Sequence, residues 1–183
     1  MIIVTPYEFK EAFLQIATKR QQDIISKWTD PKACTDLMLD EQNGVCAEIA
    51  SSLKLNYYRE YWTIDAVFYE KRSSKYFDDK SFFAQSISVA LEHENYGNSA
   101  HNEIHKLTII NAPLRVLITY PNIRTKDEKT LLGEFAEIVR EGDIFFNFSC
   151  YRKLLVVFGY KDHIGEKVKW EFFLFGNGSF SLI

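Results

Sequence analysis

The run Ile87-Ser88-Val89-Ala90-Leu91-Glu92-His93-Glu94-Asn95 places two glutamates two residues apart at the end of an otherwise apolar segment. Side chains alternate along an extended chain, so Glu92 and Glu94 share one face while Val89, Leu91 and His93 occupy the other. Adjacent carboxylates repel each other, and a divalent cation removes that cost. Hard oxygen ligands suit Mg²⁺, with Mn²⁺ as its nearest substitute. A third acid, Asp65, lies between Ile64 and Ala66 in the segment Tyr61–Tyr69. Period-two alternation there predicts Trp62, Ile64, Ala66 and Phe68 on one face and Thr63, Asp65 and Val67 on the other. If the two segments pair, the three acids converge where a metal can hold a phosphate oxygen and a water.

His101 and His105 stand four apart in a helical stretch and share a face, a spacing that can bind a transition metal. No third ligand accompanies them at a recognised spacing, so a solvated or phosphate-facing pair is expected. His93, opposite the two glutamates, reads as a hydrogen-bonded residue at the edge of the core. The chain holds no G-x-x-x-x-G-K-[ST], no G-x-G-x-x-G and no G-x-S-x-G. Neither a nucleotide cradle nor a hydrolase serine is therefore supported. Gly176-Asn177-Gly178 reads as a turn.

The elements that must position these residues follow from spacing. Thr5-Pro6-Tyr7-Glu8 is a capping box with Pro at the first helical position. Phe9, Phe13, Ile16, Ala17 and Ile24 recur behind it, predicting a helix from Pro6 to about Ser26. A short helix follows Asp30-Pro31, and Asn43-Gly44 is a turn. A further helix carries Val45, Ile49, Ala50 and Leu53 and ends near Leu55. Two strands, 61–69 and about 83–94, form a hairpin-like pair with a loose connection. A helix over 101–110, a strand over 114–120 buried on both faces, and a helix opened by Thr125-Lys126-Asp127-Glu128 come next. That last helix presents Leu131, Leu132, Phe135, Ile138 and Val139. Strands over 151–160 and 167–175 close the chain. The expected class is α/β, with a mixed central sheet flanked by helices in one domain spanning 1–183. Helices occupy 6–55, the metal-site core 57–120, and a helix with the C-terminal strand pair 125–183.

The helix–strand–strand–helix–strand order, with Asp65 on the first strand and Glu92-His93-Glu94 on the next, resembles the PD-(D/E)XK nuclease superfamily. The resemblance covers about Val45 to Tyr120 and rests on a short motif. It implies a restriction-endonuclease-like α-β-β-α-β core with an extra C-terminal strand pair, and Mg²⁺-dependent hydrolysis of DNA phosphodiesters. Asp65 matches the strand Asp and Glu92 the first motif acid. Glu94 stands where Lys is usual, and Ile64 where the motif has Pro. The same resemblance suggests Glu48, on the preceding helix, as an additional metal ligand, and Lys106, on the following helix, as a spatial replacement for the missing Lys.

The overall charge constrains this reading. The chain has 183 residues, 22 Lys+Arg against 25 Asp+Glu and a formal net charge of −3. Its 46% hydrophobic and 26% charged content excludes a disordered chain, a coiled-coil rod and a strongly basic coat protein. A phosphate-binding face must therefore draw on local cations, and Lys71-Arg72, Lys75 and Lys80 supply them between the two site strands. Binding to DNA is expected to be weak, metal-assisted and salt-sensitive. A homodimer would suit a cutter of both strands. An inactive binding or regulatory module on the same fold is the alternative, favoured by Glu94 in the Lys position. The 15% aromatic content points to a substantial sheet core. Cys34, Cys46 and Cys150 show no C-x-x-C spacing, which suggests buried thiols in a reducing cytoplasm. The apolar runs have strand length and the N-terminal one is too short for a signal peptide, so no membrane partner is expected.

Overall fold

A computed structural model describes residues 2–71, 86–122, 126–142, 152–162 and 167–183. The predicted capping box is formed: the Thr5 hydroxyl accepts from the Glu8 N–H and the Glu8 carboxylate accepts from the Thr5 N–H. It opens α1 (Pro6–Lys19). The long helix expected from periodicity is two, because the backbone leaves helical geometry at Arg20 and restarts as α2 (Gln21–Lys27). Asp30 caps α3 (Pro31–Leu39), and Gly44 precedes α4 (Val45–Ser52). At Gly44 a β-carbon would stand 2.3 Å from the Asp40 carbonyl oxygen, so the turn that starts α4 admits only glycine without rearrangement.

Seven strands follow: β1 (Asn56–Tyr61), β2 (Ile64–Tyr69), β3 (Ile87–Glu94), β4 (Leu114–Thr119), β5 (Lys153–Lys161), β6 (Val168–Gly176) and β7 (Ser179–Leu182). The helices α5 (His101–Ile109) and α6 (Glu128–Gly142) separate β3 from β4 and β4 from β5. The strands form one mixed sheet in chain order. β3, β4 and β5 are parallel neighbours, and every other neighbouring pair is antiparallel. Parallel neighbours require crossovers, and α5 and α6 provide them. Both crossovers step across the sheet in the same direction, and crossover handedness is nearly invariant, so both helices cover the same face.

The chain is thus a mixed α/β protein with a seven-stranded sheet between two helical layers. On one face, Phe9, Phe13, Ile24, Met38 and Ile49 from α1–α4 pack on Phe68, Leu91, Val116 and Phe172 of the sheet. Phe13 meets Trp170 and Phe172 edge-on, with ring centroids 4.8 and 5.6 Å away. On the other, Ile104 and Leu107 of α5 and Leu131, Phe135 and Val139 of α6 pack on Val67, Ala90, Leu117 and Val156. Among the described residues eight phenylalanines are buried in these two cores, in line with the sheet core that the aromatic content suggested. No helix of the described residues is long and apolar enough to cross a membrane.

Two strands escape the sequence reading. β1 and β7 lie at the sheet edges, where burial on one face is too partial to imprint alternation. Asn177 and Gly178 form the predicted turn into β7, both at positive φ. Thr125 of the second capping box lies outside the described residues; Asp127 supplies a cap to α6 by accepting from the Thr130 N–H at 3.0 Å. Phe83, the start expected for the second strand, also lies outside them, as do Arg72, Lys75, Lys80 and Cys150.

The β1–β2 turn carries the most unusual backbone. Trp62 has φ 56° and Glu60 φ 57°, the left-handed region that costs an ordinary L-residue about 1–2 kcal/mol. Trp62 and Thr63 form the turn, so Trp62 does not share a face with Ala66 and Phe68 as alternation predicted, and Ile64 packs into the cluster containing Val67. Asn tolerates this conformation. Trp62→Asn is therefore expected to stabilise the protein by about 0.5–1 kcal/mol, read as a rise in thermal midpoint by calorimetry.

Candidate functional site

The ladder between β2 and β3 pairs Ala66 with Leu91 and Val67 with Ala90. Continued by one residue, that register sets Asp65 opposite Glu92. Alternation on β3 turns Ala90, Glu92 and Glu94 toward α5, while Val89, Leu91 and His93 face α1–α4. The Asp65 Oδ2 accepts from the His93 backbone N–H at 2.8 Å. That bond ties the start of β2 to the end of β3, and the β1–β2 ladder skips Glu60 and Asp65 beside it.

Glu92 is fully buried, at 0% relative exposure. Its Oε1 lies 3.0 Å from Lys106 Nζ on α5, yet neither carboxylate oxygen has a well-directed hydrogen bond among the described residues. Burial and the neighbouring Asp65 charge push the Glu92 pKa up to about 8, against the pull of Lys106. Lys106 also donates to the Thr63 carbonyl at 3.3 Å and stands 3.8 Å from Glu103. Burial draws the lysine pKa down, but the bond and charge of Glu92 outweigh it and the net shift is upward.

Glu94 is half-buried and accepts from the Tyr96 N–H at 2.7 Å. Its pKa is raised, first by burial and then by the charges of Glu103 and Asp65, against the Tyr96 bond and Lys106. Asp65, Glu92, Glu94 and Lys106 therefore share one electrostatic neighbourhood. Glu103 completes it and was missed from sequence; its place three residues before Lys106 on a helix was the available signal.

The remaining candidates go elsewhere. Glu48 projects from α4, in the layer on the opposite sheet face, and its carboxylate takes Lys19 at 2.7 Å and Arg20 at 2.5 Å. Those cations hold the Glu48 pKa below the usual carboxylate range, the Lys19 bond contributing most. His101 bonds Glu134 of α6 through Nε2 at 2.8 Å, and Lys126 joins the same carboxylate. His105 is exposed. His93 is the core-edge residue expected: its Nε2 lies 2.9 Å from the Tyr120 hydroxyl, and burial brings its pKa down to about 4 despite the Asp65 charge. It is a neutral imidazole at pH 7.

A cavity of about 910 Å³ opens past the carboxyl ends of β3, β4 and β5, with Trp28, Asn95, Tyr96, Tyr120, Tyr160 and Glu171 in its walls. Asn95 follows Glu94 directly, so the acidic group and the cavity occupy the same end of the sheet, where α/β folds open their ligand crevices. Compared with protein-family models and with curated proteins, the chain matches none.

The donor set meets the needs of Mg²⁺ in a limited way. No group of three or more His, Cys, Asp or Glu side chains among the described residues is arranged as a ready metal site. Mg²⁺ does not require one, because it commonly takes one or two carboxylates and fills its remaining positions with water and substrate phosphate. Asp65 and the buried Glu92, with Lys106 beside it, offer two carboxylates, the number such a site would use.

Proposed function

We propose that this protein is a Mg²⁺-dependent phosphodiester hydrolase acting on DNA, with Asp65 and Glu92 as the metal pair. The observation that carries the reading is the buried Glu92 carboxylate, set opposite Asp65 with Lys106 3.0 Å away. Lys106 offsets one of the two acids, and a divalent cation would offset the other and draw the raised Glu92 pKa back down. The chain order α4, β2, β3, α5, β4 supports the expected restriction-endonuclease-like core, with β1 as an added edge strand.

Each residue then has a role set by its surroundings. Asp65 is oriented by the His93 N–H, and Glu92 by its strand and by Lys106. Asp65 and Glu92 would hold Mg²⁺, whose charge would stabilise a phosphate oxygen and ease deprotonation of an attacking water. In this reading Lys106, on α5 and beside Glu92, takes the part of the Lys that Glu94 replaces on β3. Its ammonium can bind a phosphate oxygen as a point charge. Glu94, with its raised proton affinity, stands beside the pair as a proton acceptor for the water. Glu48, held by Lys19 and Arg20 on the opposite sheet face, is given no role at the metal, and Mn²⁺ would serve in place of Mg²⁺.

Incubation of plasmid and oligonucleotide DNA with Mg²⁺ or EDTA tests the proposal. Cleavage is expected with Mg²⁺ only, and Asp65→Ala is expected to abolish it while the fold persists by circular dichroism. Cleavage that survives in Asp65→Ala would refute the assignment. Calorimetric Mg²⁺ binding without turnover on any nucleic acid would support the non-catalytic binding module instead.

A further inference from the structure

From the geometry of the β1–β2 turn we infer that Trp62 is a stacking platform for an unpaired nucleobase next to the acidic site, so that the substrate is single-stranded or locally opened nucleic acid. The inference rests on the hydrolase reading and names its substrate class.

Three independent features of the turn point to it. Trp62 is 85% exposed, the most exposed large hydrophobic residue among the described residues. It sits at φ 56°, which a two-residue hairpin turn imposes at its first position and which a bulky side chain rarely occupies. Its ring is parallel to Tyr61, with centroids 5.5 Å apart and planes 7° apart, and Tyr58 meets Tyr61 edge-on at 6.4 Å. The indole is thus held flat and supported from behind, with its other face turned to solvent.

Position and surroundings choose the occupant. Thr63, next in sequence, offers its carbonyl to Lys106, the same lysine that stands 3.0 Å from Glu92. Asp65 is three residues from the ring. A phosphate held at the acidic pair would therefore carry its neighbouring base toward the turn. The ring's neighbours Glu60 and Thr63 are exposed and polar. A protein partner would need a broad apolar patch, and of the three clustered rings only Trp62 is largely exposed. A base needs only a flat face, because every base has one and stacking is indifferent to sequence.

The test uses the whole chain with Ca²⁺ in place of Mg²⁺, so that binding is read without cleavage. Tryptophan emission is followed as a short oligo-dT strand or a blunt duplex is added, and affinity is read separately from the anisotropy of a labelled strand. The single strand is expected to quench emission and to bind more tightly than the duplex. Trp62→Phe should lose most of the quench and keep the affinity, whereas Trp62→Ala should weaken binding about fivefold to a hundredfold. Trp62→Asn should be more stable yet bind equally poorly. Unchanged affinity in Trp62→Ala, or duplex bound as tightly as single strand, would overturn the inference. Quenching without Mg²⁺-dependent cleavage would remove the hydrolase reading and leave the stacking site. Cleavage that Trp62→Ala leaves untouched would do the reverse.

Discussion

Glu92→Gln is expected to lower Mg²⁺-dependent cleavage about a thousandfold and, in the same molecule, to raise stability at alkaline pH. The loss of rate follows from removing one carboxylate of the metal pair: several kcal/mol of charge stabilisation is at stake, and each 1.36 kcal/mol is about tenfold. The gain in stability follows from linkage. The Glu92 pKa is about 8 in the folded protein, above the ordinary value of 4.5. Between those values the folded state holds a proton that the unfolded state releases, so stability falls as pH rises, by about 1.4 kcal/mol per pH unit. His93 acts in the opposite sense. Its pKa of about 4 lies below the ordinary 6.5, so its contribution to stability increases as pH rises between those two values. The two slopes offset each other up to about pH 6.5, and the Glu92 term stands alone from there to about pH 8. Urea titrations in EDTA across that interval should show stability declining in the parent protein and a flatter profile in Glu92→Gln. A mutation that removes activity and adds stability separates a functional carboxylate from a structural one, since a structural acid would lose both.

Arg115→Ala is expected to destabilise the protein by about 3–5 kcal/mol, measured by denaturant unfolding. Arg115 is the largest fully buried side chain of the described residues, on a β4 strand buried along its whole length. Its Nη1 donates to the Leu107 carbonyl at 3.1 Å, eight residues back near the end of α5. Paired beside Ala90, it lies on the face that carries Glu92. Truncation leaves a cavity several methylenes deep and an unsatisfied carbonyl, two costs that add. Arg115→Met should recover part of the loss by filling the volume. Because Leu107 follows Lys106, the same variant should lower cleavage by loosening α5, with KM changed more than kcat.

The core strands and the acidic face were legible because burial is strong there. Glu92 and Glu94 alternate with Leu91 and His93 in a strand covered on both sides, so period two survives intact. Asp65 announced itself as a charge in an apolar run, and the structure turns it toward Glu92. Lys106 came only through the family resemblance, since a helix residue twelve positions beyond a strand is brought back by topology and no local pattern records that. Glu48 illustrates the converse. Its position on the edge of an apolar stripe fits a ligand and an ion-pair partner equally, and Lys19 and Arg20, about thirty residues earlier, decide which contacts it makes. The strained turn was invisible for another reason: Trp62 and Ile64 keep the alternation of a strand while the backbone reverses beneath them.

The chain order of the sheet has a consequence for how the protein is made. Each strand lies beside its predecessor, β1 through β7, and none waits for a partner synthesised much later. The sheet can therefore lengthen one strand at a time as the chain leaves the ribosome, starting from the β1–β2 hairpin, whose closure costs little loop entropy. On that route Asp65 is in place first, and its acceptor oxygen stands waiting for the His93 N–H when β3 arrives. The pairing of the acidic residues would thus be an early checkpoint in assembly, fixed before α5 delivers Lys106 to neutralise it.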